Sequence, residues 1–178
     1  RVNMTKRIAA AVSVCFAALF FSLNICAEAK LSAGRATAVR CLKLAESSLA
    51  SGDWDTALTQ AQLGLSYDDK VADLWYISAA AQSGKGSVKA DVLPLVTKAL
   101  TEGEWVDYNR DGARILYADI MSDTGNWEQA VGVLDAAPFI YSADAEFIRI
   151  KSYYRMNTHE SLEKARNKVN AARRIYPD

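Results

Sequence analysis

The sequence predicts an all-α chain built of consecutive helical hairpins, and three observations carry that reading. A short pattern recurs: a turn or polar residue, a large apolar residue two positions on, and alanine five on. Its copies are separated by about the length of one hairpin. Polar residues able to cap helices fall at the boundaries that this spacing demands.

The pattern is plainest in Gly52-Asp53-Trp54-Asp55-Thr56-Ala57 and Gly125-Asn126-Trp127-Glu128-Gln129-Ala130, and it returns in degenerate form in Glu160-Ser161-Leu162-Glu163-Lys164-Ala165. Gly125 and Glu160 are 35 positions apart, and Gly52 and Gly125 are 73 apart, so a further copy belongs between the first two. It begins at Asp73-Leu74-Trp75-Tyr76, breaks at Ser83-Gly84-Lys85-Gly86, and resumes over Val92 to Leu100. Ala99 there stands in the place held elsewhere by Gly64, Ala137 and Ala172. Pro94 is tolerated in a helix only near its first turn, so Asp91 is the expected N-cap, after an extra loop from Gly86 to Ala90. Asn126 with Gln129, and Asn157 with Glu160, are expected capping boxes for two second helices.

These residues resemble the tetratricopeptide repeat, a helix-turn-helix unit of about 34 residues. The first copy supplies Ala45, Gly52, Trp54, Ala57, Ala61, Gly64 and Asp69, the third Ala118, Gly125, Trp127, Ala130, Leu134 and Ala137. The fourth supplies Tyr153, Glu160, Leu162, Ala165, Val169, Ala172 and Pro177, departing from the pattern at the first two. The resemblance implies a right-handed α-solenoid of about four repeats, roughly 36–69, 70–102, 109–141 and 143–177. Alanines let the helices approach closely, and a unit that cannot bury its apolar face alone stacks on its neighbours. Trp54, Trp75 and Trp127 are expected to pack in the core; nothing in the pattern assigns Trp105.

Ahead of the repeats, Lys6 and Arg7 are followed by an apolar stretch from Ile8 to Leu23 and by Ala27-Glu28-Ala29. That order predicts a signal peptide over 1–29, cleaved before Lys30, and hence an exported, periplasmic or cell-envelope domain over 30–178. Two alternatives stay open: an uncleaved anchor, and lipidation at Cys26, where Leu23-Asn24-Ile25-Cys26 has the outline of a lipoprotein box. Cleavage would leave Cys41 as the sole cysteine, so the fold would rely on its core rather than on a disulfide. A unit of the family ends where Pro177-Asp178 stands, which suggests truncation or further units beyond.

With 21 Lys plus Arg against 21 Asp plus Glu, the overall charge recommends neither nucleic acid nor an anionic membrane as partner. Asp107-Tyr108-Asn109-Arg110-Asp111-Gly112 has the front half of a calcium loop, but its twelfth position is Ala118 where a bidentate acid is required. Asp111 is read instead as capping the helix that follows. Ser83-Gly84-Lys85-Gly86-Ser87 lacks the first glycine of a phosphate loop and reads as a turn. His159 has no second ligand at zinc spacing and reads as a solvated first-turn residue, while Cys41 reads as a small buried hydrophobe. The expectation is therefore a chain that is not an enzyme, with no catalytic residues, metal, cofactor or small-molecule substrate.

What remains is protein binding. The resemblance implies that the first helix of each unit lines a concave groove through three of its positions. Here those are Val39, Leu42 and Glu46; Asp73, Tyr76 and Ala80; Gly112, Ile115 and Asp119; and Phe147, Ile150 and Tyr154. None is basic, which argues against clamping a terminal carboxylate and for an amphipathic helix or an extended apolar segment as ligand. Ten acids face two bases between Glu102 and Glu146, whereas eight bases face three acids from Phe147 on, a pair of patches able to steer a partner or to favour head-to-tail association. The expected function is an interaction scaffold or adaptor in the bacterial cell envelope. The alternative is an N-terminal targeting or regulatory module of this repeat type in a longer envelope protein whose catalytic or other domain lies beyond residue 178.

Overall fold

The structure, a computed structural model, describes residues 33–108, 110–137 and 142–175. The segment read as a signal peptide, with Cys26, and the terminal Pro177-Asp178 lie outside the described residues. The described chain is all-helical. Helix α1 covers 33–50. It is followed by α2 (Trp54–Tyr67), α3 (Ala72–Gly84), α4 (Lys89–Thr101), α5 (Arg110–Asp123), α6 (Trp127–Asp135), α7 (Ala143–Met156) and α8 (His159–Ile175). The nearest approach to a strand among them is a single parallel bridge between Val71 and Glu104.

The helices pair as four hairpins, each reversed by one left-handed residue. Gly52, Gly86 and Gly125 have φ of 78°, 77° and 87°, and Asn157 has φ 52°. Glycine reaches that region without steric cost, and asparagine is among the few other residues that tolerate it. From α2 on, each helix packs on the next in sequence; beyond that, α3 meets α5 and α5 meets α7. First helices of consecutive hairpins thus lie side by side, with the second helices layered against them.

Small residues make this approach possible, and the repeated alanines face inward. Ala57, Ala130 and Ala165 are all buried, as are Ala45, Ala79 and Ala118 at the first-helix position. One core joins Ala38, Leu42 and Ala45 of α1 to Ala57 and Ala61 of α2 and to Leu74, Ile77 and Ala81 of α3. A second runs from Val92 and Val96 of α4 through Ile120, Met121 and Leu134 to Ala145 and Ile148 of α7. Tyr76 packs against both. Cys41 lies buried beside the first core, and His159 stands exposed at the start of α8.

Several local expectations are corrected. Asp91 is not the cap of α4: the helix begins at Lys89 after Val88, whose carbonyl accepts the Asp91 N–H, so Pro94 is its sixth residue. The extra loop is accordingly shorter than Gly86 to Ala90. Asn126 makes no capping bond, because its amide turns to the Thr124 hydroxyl while the Gln129 amide donates to the Tyr117 hydroxyl. Asn157 closes α7 rather than opening α8. The capping box of α8 is formed by Thr158 and Ser161, each backbone N–H donating to the other's hydroxyl at 3.0 and 3.1 Å. Asp111 lies in the first turn of α5, 3.4 Å from Arg114, rather than at its cap. Trp75 is half-buried at the α2–α3 turn, where its indole N–H donates to the Asp69 carbonyl and Lys98 Nζ lies 4.5 Å from the ring centroid.

Part of the charge asymmetry is met within the fold. The acids of the third hairpin meet the bases of the fourth across their interface: Lys151 pairs with Asp123, and Arg149 donates to Asp135 at 2.8 Å. Arg149 is buried and also donates to Glu146 Oε1 and to the carbonyl of Leu134. A guanidinium with several fixed acceptors tolerates desolvation that a lone charge would not.

Candidate functional site

The first helices of three consecutive hairpins leave a groove of about 490 Å³ between them. From α3 it is lined by Tyr76, Ala80 and Ser83; from α5 by Gly112, Ile115, Leu116 and Asp119; from α7 by Asp144, Phe147 and Ile148. The helical period places Tyr76 and Ala80, or Gly112, Leu116 and Asp119, on one face of their helix, so three parallel rods present three stripes to a common floor.

Tyr76 anchors the wall nearest the first hairpin. Its ring stands edge-on to Tyr108 at 5.5 Å and tilted to Trp105 at 6.3 Å. Gly112 leaves room beside it: a Cβ there would lie 2.7 Å from the Tyr76 hydroxyl, so a larger residue would push the phenol aside. Burial pushes the Tyr76 phenol above its ordinary pKa, so it stays neutral; Tyr108 is raised too, by burial first and then by Glu46.

The opposite wall is acidic. Asp119 lies 3.8 Å from Lys151, which is shared with Asp123, while Lys89 also pairs with Asp123. Asp144 sits in the first turn of α7, just after Ser142, whose hydroxyl caps the helix by accepting the Ala145 N–H at 3.1 Å. Phe147, 64% exposed, joins the two carboxylates in the lining. The lining therefore combines apolar surface, a neutral phenol, one hydroxyl and two carboxylates.

Of the residues expected to bind a partner, Tyr76, Ala80, Ile115, Asp119 and Phe147 share this groove, with Gly112. Val39 and Glu46 are not part of its lining; Glu46 pairs with Lys43 at 3.2 Å, and Lys43 is held charged by Asp107 first and Glu46 second. Tyr154, 65% exposed, lies outside the groove as well. Two expected contacts are corrected. Leu42 is 0% exposed, buried in the core that α1 shares with α2 and α3, and presents nothing to an open groove. Asp73 is 0% exposed, and its carboxylate accepts the backbone N–H groups of Val106, Asp107 and Tyr108 at 2.8, 3.0 and 2.6 Å. It organises the α4–α5 loop, the stretch that carried the partial calcium pattern.

Sequence reasoning missed Ser83, Leu116, Asp144 and Ile148. Ser83 is three after Ala80, Leu116 four after Gly112 and Asp144 three before Phe147, so a full i, i+3, i+4 stripe would have found these three; Ile148 is one helical turn beyond Asp144.

A second hollow, about 630 Å³, opens between α7 and α8. Phe147 and Ile150 of α7 line it opposite Ala171, Ala172 and Ile175 of α8. Ile150, expected in the shared groove, belongs here.

No family model and no solved structure matches the chain. An uncharacterized protein of Treponema pallidum (strain Nichols) is similar to it, 30% identical over 122 residues. That match takes in 66% of this chain, and it spans 15% of the relative's length.

Proposed function

We propose that the chain is a protein-interaction scaffold of tetratricopeptide-repeat type, a right-handed superhelix of four hairpins that seats a segment of a partner protein in its concave groove. The observation that carries this reading is the lining itself: α3, α5 and α7, equivalent helices of successive hairpins, each contribute an apolar or aromatic residue to one continuous groove. The sequential packing of the helices, with α3 on α5 and α5 on α7, supports the superhelix. Placement in the bacterial cell envelope rests on Lys6, Arg7 and the apolar run from Ile8 to Leu23.

Two substitutions test it without touching a fully buried side chain. Ile115→Ser with Phe147→Ala strips the groove, and circular dichroism should remain that of the parent. The double variant is expected to lose at least tenfold in the recovery of specific partners from envelope extract. Retention of every partner would remove the groove as the binding site.

A second reading is favoured by one observation, that the matched stretch spans 15% of the similar protein. In this reading the hairpins are a targeting or regulatory module within a longer envelope protein. The apolar hollow between α7 and α8 is then a seat for further polypeptide. The open reading frame of the gene distinguishes the two.

A further inference from the structure

We propose that the α4–α5 loop, residues 102–108, is a built-in ligand: a strap seated on a peptide-docking face formed by α1 and the start of α3, which an acidic, aromatic segment of a partner protein takes by displacing it. The face shares Tyr76 with the α3–α5–α7 groove, and the proposal does not depend on what that groove binds.

The loop is held as a bound peptide is held, by backbone pairing, charge and ring contact. Glu104 pairs with the α2–α3 turn, its N–H donating to the Lys70 carbonyl at 2.7 Å and its carbonyl accepting the Ala72 N–H at 3.0 Å. Gly103 lets the strap lie flush there, since a Cβ would stand 2.7 Å from Ala72 Cα. The N–H groups of Val106, Asp107 and Tyr108 then converge on the buried Asp73 carboxylate. Two acids of the strap meet two bases of α1, Glu104 at 3.2 Å from Arg35 and Asp107 at 2.8 Å from Lys43. The rings of Trp105 and Tyr108 pack on Tyr76.

Three features make this occupant replaceable. Its ion pairs are open to water, with the Glu104 and Lys43 side chains 76% and 58% exposed, and such pairs add little to the closed state. Opening leaves neither base bare, because Arg35 also pairs with Asp68 at 3.1 Å and Lys43 with Glu46 at 3.2 Å. The fit is incomplete as well: the indole N–H of Trp105 is buried and meets no acceptor among the described residues, a cost that a segment offering an acceptor there avoids. The advantage of the strap is its tether, which holds it at an effective concentration of about millimolar. The face itself names the chemistry of the displacing segment. Two bases select acids, the Asp73 carboxylate takes successive main-chain N–H groups, and Tyr76 takes a ring, the pattern that Glu104-Trp105-Val106-Asp107 supplies from within.

The test uses the folded chain and a fluorescein-labelled peptide with the sequence of residues 102–108, read by fluorescence anisotropy. Trp105→Ser/Tyr108→Ser strips the strap of its rings and leaves the face intact, so the peptide is expected to bind that variant at least about tenfold more tightly than the parent. Adding Lys43→Glu should weaken binding about tenfold, and a peptide carrying Asp107→Lys should recover it, an exchange that general damage to the fold would not produce. Ile115→Ser/Phe147→Ala should leave the affinity unchanged, which separates this face from the groove. On the parent chain, amide hydrogen exchange at Val106, Asp107 and Tyr108 should quicken when peptide is added at about millimolar concentration. Equal affinity for the parent and the Trp105→Ser/Tyr108→Ser variant, or binding lost in Ile115→Ser/Phe147→Ala, overturns the strap. Failure of the Asp107→Lys peptide to recover binding overturns the acidic ligand. Exchange in the parent that the peptide leaves unchanged overturns displacement, and it decides the matter without any variant should the opened chain fail to fold.

Discussion

Helices α6 and α8 occupy equivalent places as second helices of neighbouring hairpins, yet they are buried very differently. In its nine residues α6 buries Ala130, Val131 and Leu134; in its seventeen, α8 buries Ser161 and Ala165, and its final Ile175 is 69% exposed. Neighbours explain the difference. α6 is packed by α5 on one side and α7 on the other, whereas among the described residues α8 touches α7 alone. Local charge supports α8 instead: Lys164 lies 2.6 Å from Glu160, which lowers the Glu160 pKa, and the capping box of Thr158 and Ser161 fixes its start. A helix owes its stability to the sides that are covered, so among the described residues α8 is held less firmly than α6.

The largest expected effect sets those two helices against each other. Leu134→Ala removes a fully buried side chain from the second core and should cost about 3 to 4 kcal/mol. Leu162→Ala, at a position 37% exposed on α8, should cost less than about 1 kcal/mol. Urea unfolding of both variants measures the difference, and equal losses would break the comparison.

The junction between the third and fourth hairpins is next. Arg149→Met leaves Asp135 and the Leu134 carbonyl without their buried donor and should destabilise by about 3 kcal/mol. Lys168→Met removes an ion pair to Glu146 whose partners are partly exposed, and should change stability by less than about 1 kcal/mol. Salt should weaken the second contact and barely alter the first.

A smaller pair sharpens the view of α6. Gly125 turns the hairpin at φ 87°, so Gly125→Ala should destabilise by about 1 kcal/mol. Gly132 lies within α6 with open space where a Cβ would go, so Gly132→Ala should stabilise by about 0.5 to 1 kcal/mol. Thermal unfolding shifts of opposite sign are the expected result.

The hairpins were legible because repeated small residues leave a pattern that is independent of any one contact: Ala57, Ala130 and Ala165 all proved buried. The groove was legible in part, through Tyr76, Ala80, Ile115, Asp119 and Phe147. Asp73 escaped because its role depends on a loop more than thirty positions away, and no local pattern announces three backbone donors converging on one carboxylate. Leu42 escaped because a family's groove position says which face of α1 a residue occupies but not whether neighbouring helices bury it. The capping pairs failed where side chains had better partners nearby, Gln129 on Tyr117 and Ser161 on Thr158.

The smallest effect concerns two phenols, Tyr76 between the two cores and Tyr153 on α7. Burial raises the Tyr76 pKa. Tyr153, on α7, is raised by burial and by Asp135 but pulled back by Lys164 and Arg149. A folded-state value above the ordinary one near about 10 means that the folded chain keeps its proton where the unfolded chain has lost it. The associated stability is present in full below about pH 10 and drains away as pH rises through the folded-state value. Urea midpoints measured from pH 8 to 11.5 should therefore fall for the parent chain and fall less for Tyr76→Phe. Tyr153→Phe should flatten the decline less than Tyr76→Phe, because nearby cations already favour its phenolate. The reverse order would mean that the surroundings of Tyr76 are wetter than those of Tyr153, and the contrast between the two regions would have to be redrawn.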